Sequence, residues 1–197
     1  MTVLPRLYAI VDASFGDPVR FAGMLIDGGV RILQVRNKNA GARELLSQVE
    51  RILALAPPDA RILVNDRVDV AQLGGAAGVH LGQTDLPVQE ARRILGPERI
   101  VGLSTHNLEQ ALQADRLPAD YIAVGPIFST STKAKPDPVV GLAALSDICK
   151  SVHKPVVAIG GITAENAGGV FHAGARSVAV ISDLLKAPNI QERLRQY

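Results

Sequence analysis

Two acids nineteen residues apart, Asp66 and Asp85, carry the clearest chemical signal in this chain. Asp66 follows Ile62-Leu63-Val64-Asn65, and Asp85 closes Gly78-Val79-His80-Leu81-Gly82-Gln83-Thr84-Asp85. Each comes after a short apolar run of strand type. If the runs are neighbouring parallel strands, their ends put two carboxylates at one rim of a sheet. An oxygen-loving cation such as Mg2+ could be held there together with a phosphorylated substrate. Each acid also has a plainer use: Asp66 could cap a helix starting near Val68, and Asp85, before Leu86-Pro87, could be a helix N-cap. Capping accounts for either acid singly, but not for both at one rim beside cations.

Those cations are in Gln34-Val35-Arg36-Asn37-Lys38. Alternate strand residues share a face, so Gln34, Arg36 and Lys38 point the same way if the strand persists. An amide followed by two cations suits an anionic ligand, because Arg forks onto phosphate oxygens and Lys adds a mobile charge. Its plain alternative is a charged strand end in solvent. Asn65 adds a neutral oxygen or amide donor beside Asp66. In Gly102-Leu103-Ser104-Thr105-His106-Asn107, Ser104 could donate to a phosphate oxygen. His106 could be an acid–base group or an exposed histidine at a helix start. Residues Ser129 to Pro138 form the longest polar segment, whose hydroxyls and Lys133 could close over a polyanion. Finally, Gly160-Gly161 and Ile181-Ser182 follow apolar runs where backbone N–H groups could hold a second phosphate.

These residues need a scaffold, and the chain supplies an alternating one. Strand candidates are Leu7 to Asp12, Ile32 to Arg36, Ile62 to Asn65, Gly78 to Leu81, Ile100 to Ser104, Tyr121 to Gly125, Val156 to Ile159 and Ser177 to Ile181. Helix candidates are Val19 to Asp27, Ala42 to Leu55, Val68 to Leu73, Val88 to Leu95, Leu108 to Asp115, Leu142 to Ser151, Ala164 to His172 and Ile190 to Gln196. Eight such units predict parallel strands with helical crossovers, closed into a compact (β/α)8 TIM barrel spanning residues 1–197 as a single domain. An open doubly wound sheet would need a glycine fingerprint after the first strand, but Asp12-Ala13-Ser14-Phe15-Gly16-Asp17-Pro18 is none.

With 21 Lys and Arg against 19 Asp and Glu, the formal charge of +2 gives no bulk attraction to nucleic acid or a membrane surface. No apolar run is long enough for a membrane helix, and Met1 to Arg6 does not read as a signal peptide, so a cytoplasmic protein is expected. Cys149, the only cysteine, excludes an intramolecular disulfide and reads as a small buried helix residue.

Barrel active sites lie at the C-terminal ends of the strands, where all the residues above fall. The sum is one cation site and two anion sites around one mouth. That predicts transfer of an organic group from a Mg2+-bound diphosphate to a second phosphorylated molecule.

At these residues the chain resembles the thiamine phosphate synthase family. The matching segments are Leu7-Tyr8, Gln34 to Lys38, Val64 to Ala71, Gly78 to Asp85, Gly102 to His106, Gly125 to Phe128, Thr130 to Lys133 and Val157 to Asn166. The resemblance implies a transferase that joins 4-amino-2-methyl-5-hydroxymethylpyrimidine diphosphate to 4-methyl-5-(2-phosphoethyl)thiazole, with Mg2+ as cofactor. It implies Asp66 and Asp85 as Mg2+ ligands, and Arg36, Lys38, Asn65, Ser104 and Lys133 as diphosphate contacts, with Arg36, Ser104 and Lys133 counted catalytic. Gln34 lies at the pyrimidine end. Thr130, Thr132, Gly161, Ile181 and Ser182 match positions around the thiazole phosphate. Asn37 stands where the family often has an acid, and Ser129 replaces a common Pro. A related thiazole tautomerase, and a barrel that only binds phosphate ligands, are the competing expectations. A homo-oligomer is compatible with all three.

Overall fold

The structure is a computed structural model that describes residues 4–130 and 137–197. The expected ligands Thr132 and Lys133 lie outside the described residues. Eight strands, β1 (Leu7–Asp12), β2 (Ile32–Arg36), β3 (Arg61–Asn65), β4 (Gly78–Leu81), β5 (Ile100–Thr105), β6 (Tyr121–Val124), β7 (Val156–Ile159) and β8 (Ser177–Val180), form a closed barrel in sequence order. All neighbours pair in parallel, including β1 with β8. Around them run α1 (Pro18–Asp27), α2 (Ala42–Leu55), α3 (Val68–Leu73), α4 (Val88–Leu95), α5 (Leu108–Asp115), α6 (Gly141–Ser151), α7 (Ala164–His172), α8 (Ser182–Leu185) and α9 (Ile190–Leu194). This is the predicted TIM barrel.

Local chemistry starts several helices where the sequence suggests. Asp17 accepts from the Val19 backbone N–H at 2.9 Å ahead of Pro18, and Asn107 accepts from that of Gln110 at 2.9 Å. Asn166 reaches back to the Thr163 N–H at 2.9 Å. Strand ends differ from expectation by at most one residue. A 3-10 turn at Ala13–Phe15 follows β1, capped by Asp12. The eighth strand stops at Val180 rather than Ile181, because Ile181 turns to ψ −79° and Ser182 opens α8. The short helix α8 is unexpected from the sequence pattern, and α9 ends at Leu194 instead of Gln196. Among the described residues no helix is long and apolar enough to cross a membrane.

The strands are apolar on both faces because both are covered. Outward residues such as Val11, Val35, Val64 and Val79 pack under the helices with Ala22, Leu45 and Val49. Inward residues make a smaller core: Leu4, Tyr8, Ile10, Ile32, Leu63, Ile100, Tyr121, Ala123, Val157 and Ala179. Above this apolar floor the inward positions turn polar: Gln34 and His80 are buried there, and Asp12 is only 4% exposed. The floor therefore sets the depth of a polar mouth.

Candidate active site

Every expected site residue among the described ones opens onto a single cavity of about 570 Å³ at the C-terminal rim. Gln34, Arg36 and Lys38 come from β2 and its exit, Asn65 and Asp66 from β3, Asp85 from the loop after β4 and Ser104 from β5. Thr130, Gly161, Ile181 and Ser182 line the other side. The volume suits an organic ligand of two modest parts.

Neither acid caps a helix. The residue preceding α3 is Arg67 and that preceding α4 is Pro87, and neither helix start receives a side-chain cap. Asp66 instead adopts φ 61°, a left-handed conformation that Asp tolerates better than most residues. Its N–H donates to the His80 carbonyl at 2.8 Å, and its carboxylate is ion-paired with Lys38. The Asp85 carboxylate accepts from the Gly82 N–H at 2.7 Å. Burial raises the Asp66 pKa; the Lys38 ammonium opposes this, and the neighbouring Asp85 carboxylate raises it further. An acid whose titration feels a second carboxylate in this way shares one site with it.

Among the described residues no group of three or more His, Cys, Asp or Glu is placed to hold a metal. Two carboxylates nevertheless fit Mg2+, which commonly takes one or two from protein and completes its shell with water and substrate phosphate. They do not fit a cation that needs a closed protein cage. The Lys38 ammonium supplies a positive charge beside Asp66.

Arg36 is held as well, by an acid that sequence reasoning overlooked. Asp12, at the end of β1 and in register with Arg36, pairs with its guanidinium. Asp12 also accepts from the Ser14 N–H at 3.0 Å and its hydroxyl at 2.6 Å. An acid closing the first strand beside a strand closing in Arg was the signal that could have found it.

A second omission lies beneath the mouth. Gln34 Nε2 donates to the Tyr8 hydroxyl at 3.1 Å, and the Tyr8 and Tyr121 hydroxyls are 3.0 Å apart. His80 Nδ1 lies 2.8 Å from the Tyr121 hydroxyl, while its Nε2 lies 2.8 Å from Ser104 Oγ. The Tyr121 ring stacks on His80 and meets Tyr8 edge-on. Alternation along the strands could have placed Tyr8 and His80 inside the barrel, but not paired them.

Burial lowers the His80 pKa from 6.5 to about 4. Below pH 6.5 the unfolded chain gains a proton that the folded chain refuses, so stability falls as pH drops toward 4 and then levels. Full expression of this shift is worth about 3 kcal/mol. In His80→Gln that slope should disappear from urea midpoints measured between pH 7 and 4. An unchanged slope would assign the acid sensitivity elsewhere.

The sequence profile of the thiamine monophosphate synthase family matches residues 7–184. The chain belongs to that family. It is 52% identical over 192 residues to a thiamine-phosphate synthase of Koribacter versatilis, covering 94% of this chain and 91% of that one. A counterpart with the same name in Anaeromyxobacter dehalogenans is 50% identical over 184 residues, with 93% and 82% covered. The solved thiamine phosphate pyrophosphorylase of Pyrococcus furiosus superposes with a TM-score of 0.88 at 38% identity, covering 97% of this chain and 92% of that one. The expected enzyme class, a transferase, stands with membership of the thiamine monophosphate synthase family.

One departure from the family pattern has a local account. Asn37 Oδ1 accepts from the Asn39 and Ala40 N–H groups at 3.2 and 3.1 Å, so the amide still folds the turn after β2. His106 also lines the cavity, its Nδ1 2.6 Å from the Gly125 carbonyl and its Nε2 3.7 Å from Asp137. Cys149 is half-buried on α6 rather than fully buried, and burial pushes its thiol to about 11. A thiol so held is a poor nucleophile at neutral pH.

Proposed function

We propose that the chain is a thiamine-phosphate synthase. It would transfer the 4-amino-2-methylpyrimidin-5-ylmethyl group from its diphosphate to 4-methyl-5-(2-phosphoethyl)thiazole, giving thiamine phosphate and diphosphate. The single observation that supports this reading most is the interleaving of two acids and two cations around one cavity: Asp66 beside Asp85, Lys38 on Asp66, and Arg36, which a third acid, Asp12, holds in place. A diphosphate with a divalent cation meets all four needs, since the cations require an anion and the acids a cation.

In this reading Asp66 and Asp85 would hold Mg2+, whose charge, when bound, would offset that of the leaving diphosphate. Lys38 then turns from Asp66 to a phosphate oxygen, and Arg36 forks onto another while Asp12 keeps its plane oriented. Asn65 and Ser104 add neutral donors. The bond between the methylene carbon and the bridging oxygen breaks with its electron pair going to diphosphate. The aminopyrimidine ring carries the resulting positive charge. Gln34 offers its amide to that ring, and the thiazole nitrogen attacks the carbon from the side lined by Thr130, Gly161, Ile181 and Ser182. Resemblance adds Thr132 and Lys133 to this set. No protein nucleophile is used.

Incubation with both substrates, with and without Mg2+, is the direct test. Thiamine phosphate should form only with the metal. Two other outcomes would replace the reading. Interconversion of thiazole phosphate isomers without diphosphate would favour a tautomerase, for which His106 beside Asp137 offers an acid–base pair. Binding of both ligands without product would make the barrel a binding protein.

A further inference from the structure

The buried chain from Gln34 to Ser104 has a direction. Tyr8 is 1% and Tyr121 0% exposed, so each hydroxyl has one hydrogen to give and only its neighbours in the chain to receive it. Gln34 turns Nε2 to the Tyr8 oxygen. Tyr8 must then donate to Tyr121, because the opposite arrangement leaves a fully buried hydroxyl hydrogen without an acceptor. Tyr121, having accepted, donates to His80 Nδ1. A neutral imidazole carries one proton, so Nε2 holds it and donates to Ser104 Oγ. The Ser104 hydrogen is left for the cavity, and Gln34 offers the cavity its carbonyl end. Reversal is consistent only if every member turns at once: the amide flips, both tyrosines turn and the imidazole changes tautomer.

We propose that Gln34 and Ser104 are one coupled recognition unit, in which Tyr8, Tyr121 and His80 make Ser104 a donor to the ligand whenever Gln34 is an acceptor. Tyr8 and Tyr121 are thus positioning residues. The unit is complementary to a ligand with a hydrogen-bond donor at the Gln34 end and an acceptor at the Ser104 end. An aminopyrimidine with a diphosphate arm has that pattern, and this ligand assignment rests on the function proposed above. The coupling itself does not. A ligand presenting donors to both ends, or acceptors to both, would meet one mismatched group whichever way the chain ran.

The proton position on His80 reads the coupling with no substrate present. In the protein labelled with nitrogen-15 at histidine, two-bond proton–nitrogen spectra at pH 8 distinguish the two tautomers, with the His80 signals assigned by their loss in His80→Gln. Wild type should carry the proton on Nε2. Gln34→Glu, ionised at pH 8 on the strand face it shares with Arg36 and Lys38, can only accept from Tyr8. Every link should then reverse and the proton should move to Nδ1. The double variant Gln34→Glu with Tyr8→Phe should show the same tautomer populations as Tyr8→Phe alone, because the link is cut.

An Nε2 proton that persists in Gln34→Glu would overturn the coupling. So would a shift of equal size in the Tyr8→Phe background, which would be a through-space charge effect. Should Gln34→Glu fail to fold, Tyr8→Phe decides: the Tyr121 hydrogen then has only His80 Nδ1 to receive it, so the proton should stay on Nε2, and a proton on Nδ1 refutes the coupling. In the synthase assay Tyr121→Phe should lower kcat about tenfold, with KM altered less than about twofold. Failure of that assay in wild type would remove the ligand assignment and leave the tautomer result standing.

Discussion

Asp85→Asn should lower kcat/KM for thiamine phosphate formation by about 10²- to 10³-fold and flatten its dependence on Mg2+, with the thermal midpoint nearly unchanged. The choice of Asn separates two jobs. The Asp85 carboxylate accepts from the Gly82 N–H at 2.7 Å and so shapes the loop after β4. An amide oxygen can still accept that hydrogen but brings no charge to a metal. Asp85→Ala loses both, and should cost stability of about 1 kcal/mol in addition to the activity. Asp66 remains in either variant, still paired with Lys38 and no longer facing a like charge. Activity and Mg2+ response close to wild type in Asp85→Asn would sink the two-carboxylate assignment and leave loop shaping as the only role of this acid.

Gly102→Ala should both destabilise the barrel interior and disturb the site. A Cβ at Gly102 would run into the Tyr121 ring and hydroxyl. That ring cannot swing away cheaply, since it is fully buried, stacked on His80 and edge-on to Tyr8. Overpacking of this kind costs about 3 kcal/mol. It would also pull the Tyr121 hydroxyl from His80 and uncouple Ser104. Urea denaturation should show the lost stability, and Tyr121→Leu in the same chain should restore part of it, giving a coupling energy of about 1 kcal/mol or more. Purely additive effects would mean that the new methyl is accommodated by strand movement instead.

The two variants draw on different levels of the sequence. Strand and helix positions were legible because each apolar run is short, uniform and bounded by turn formers, and because eight repeats leave few ways to cover both faces of a parallel sheet. The rim residues Gln34, Arg36, Lys38, Asn65, Asp66, Asp85 and Ser104 were legible for the same reason. Strand-end position is a local property, and barrels concentrate chemistry there. Where one residue decides a boundary, as at Ile181, local pattern was insufficient: an apolar side chain suits either the last strand position or the turn into α8.

What two acids do was beyond local pattern. A polar residue before an apolar run reads as a helix cap until the path of the backbone is known. Here Asp66 turns back to the end of β4, and Asp85 to Gly82. The pairing of Arg36 with Asp12 depends on the register of β1 and β2, and the contact of Tyr8 with Tyr121 joins residues 113 apart in sequence. Period-two alternation says which side chains enter the barrel. Which of them meet across it depends on closure of all eight strands and on the space left at Gly102. The sequence by itself therefore determined the barrel and the chemical types gathered at its mouth. Only the tertiary structure decided their partners, because strand ends are set by near neighbours along the chain whereas contacts across the barrel are set by the geometry of the whole ring.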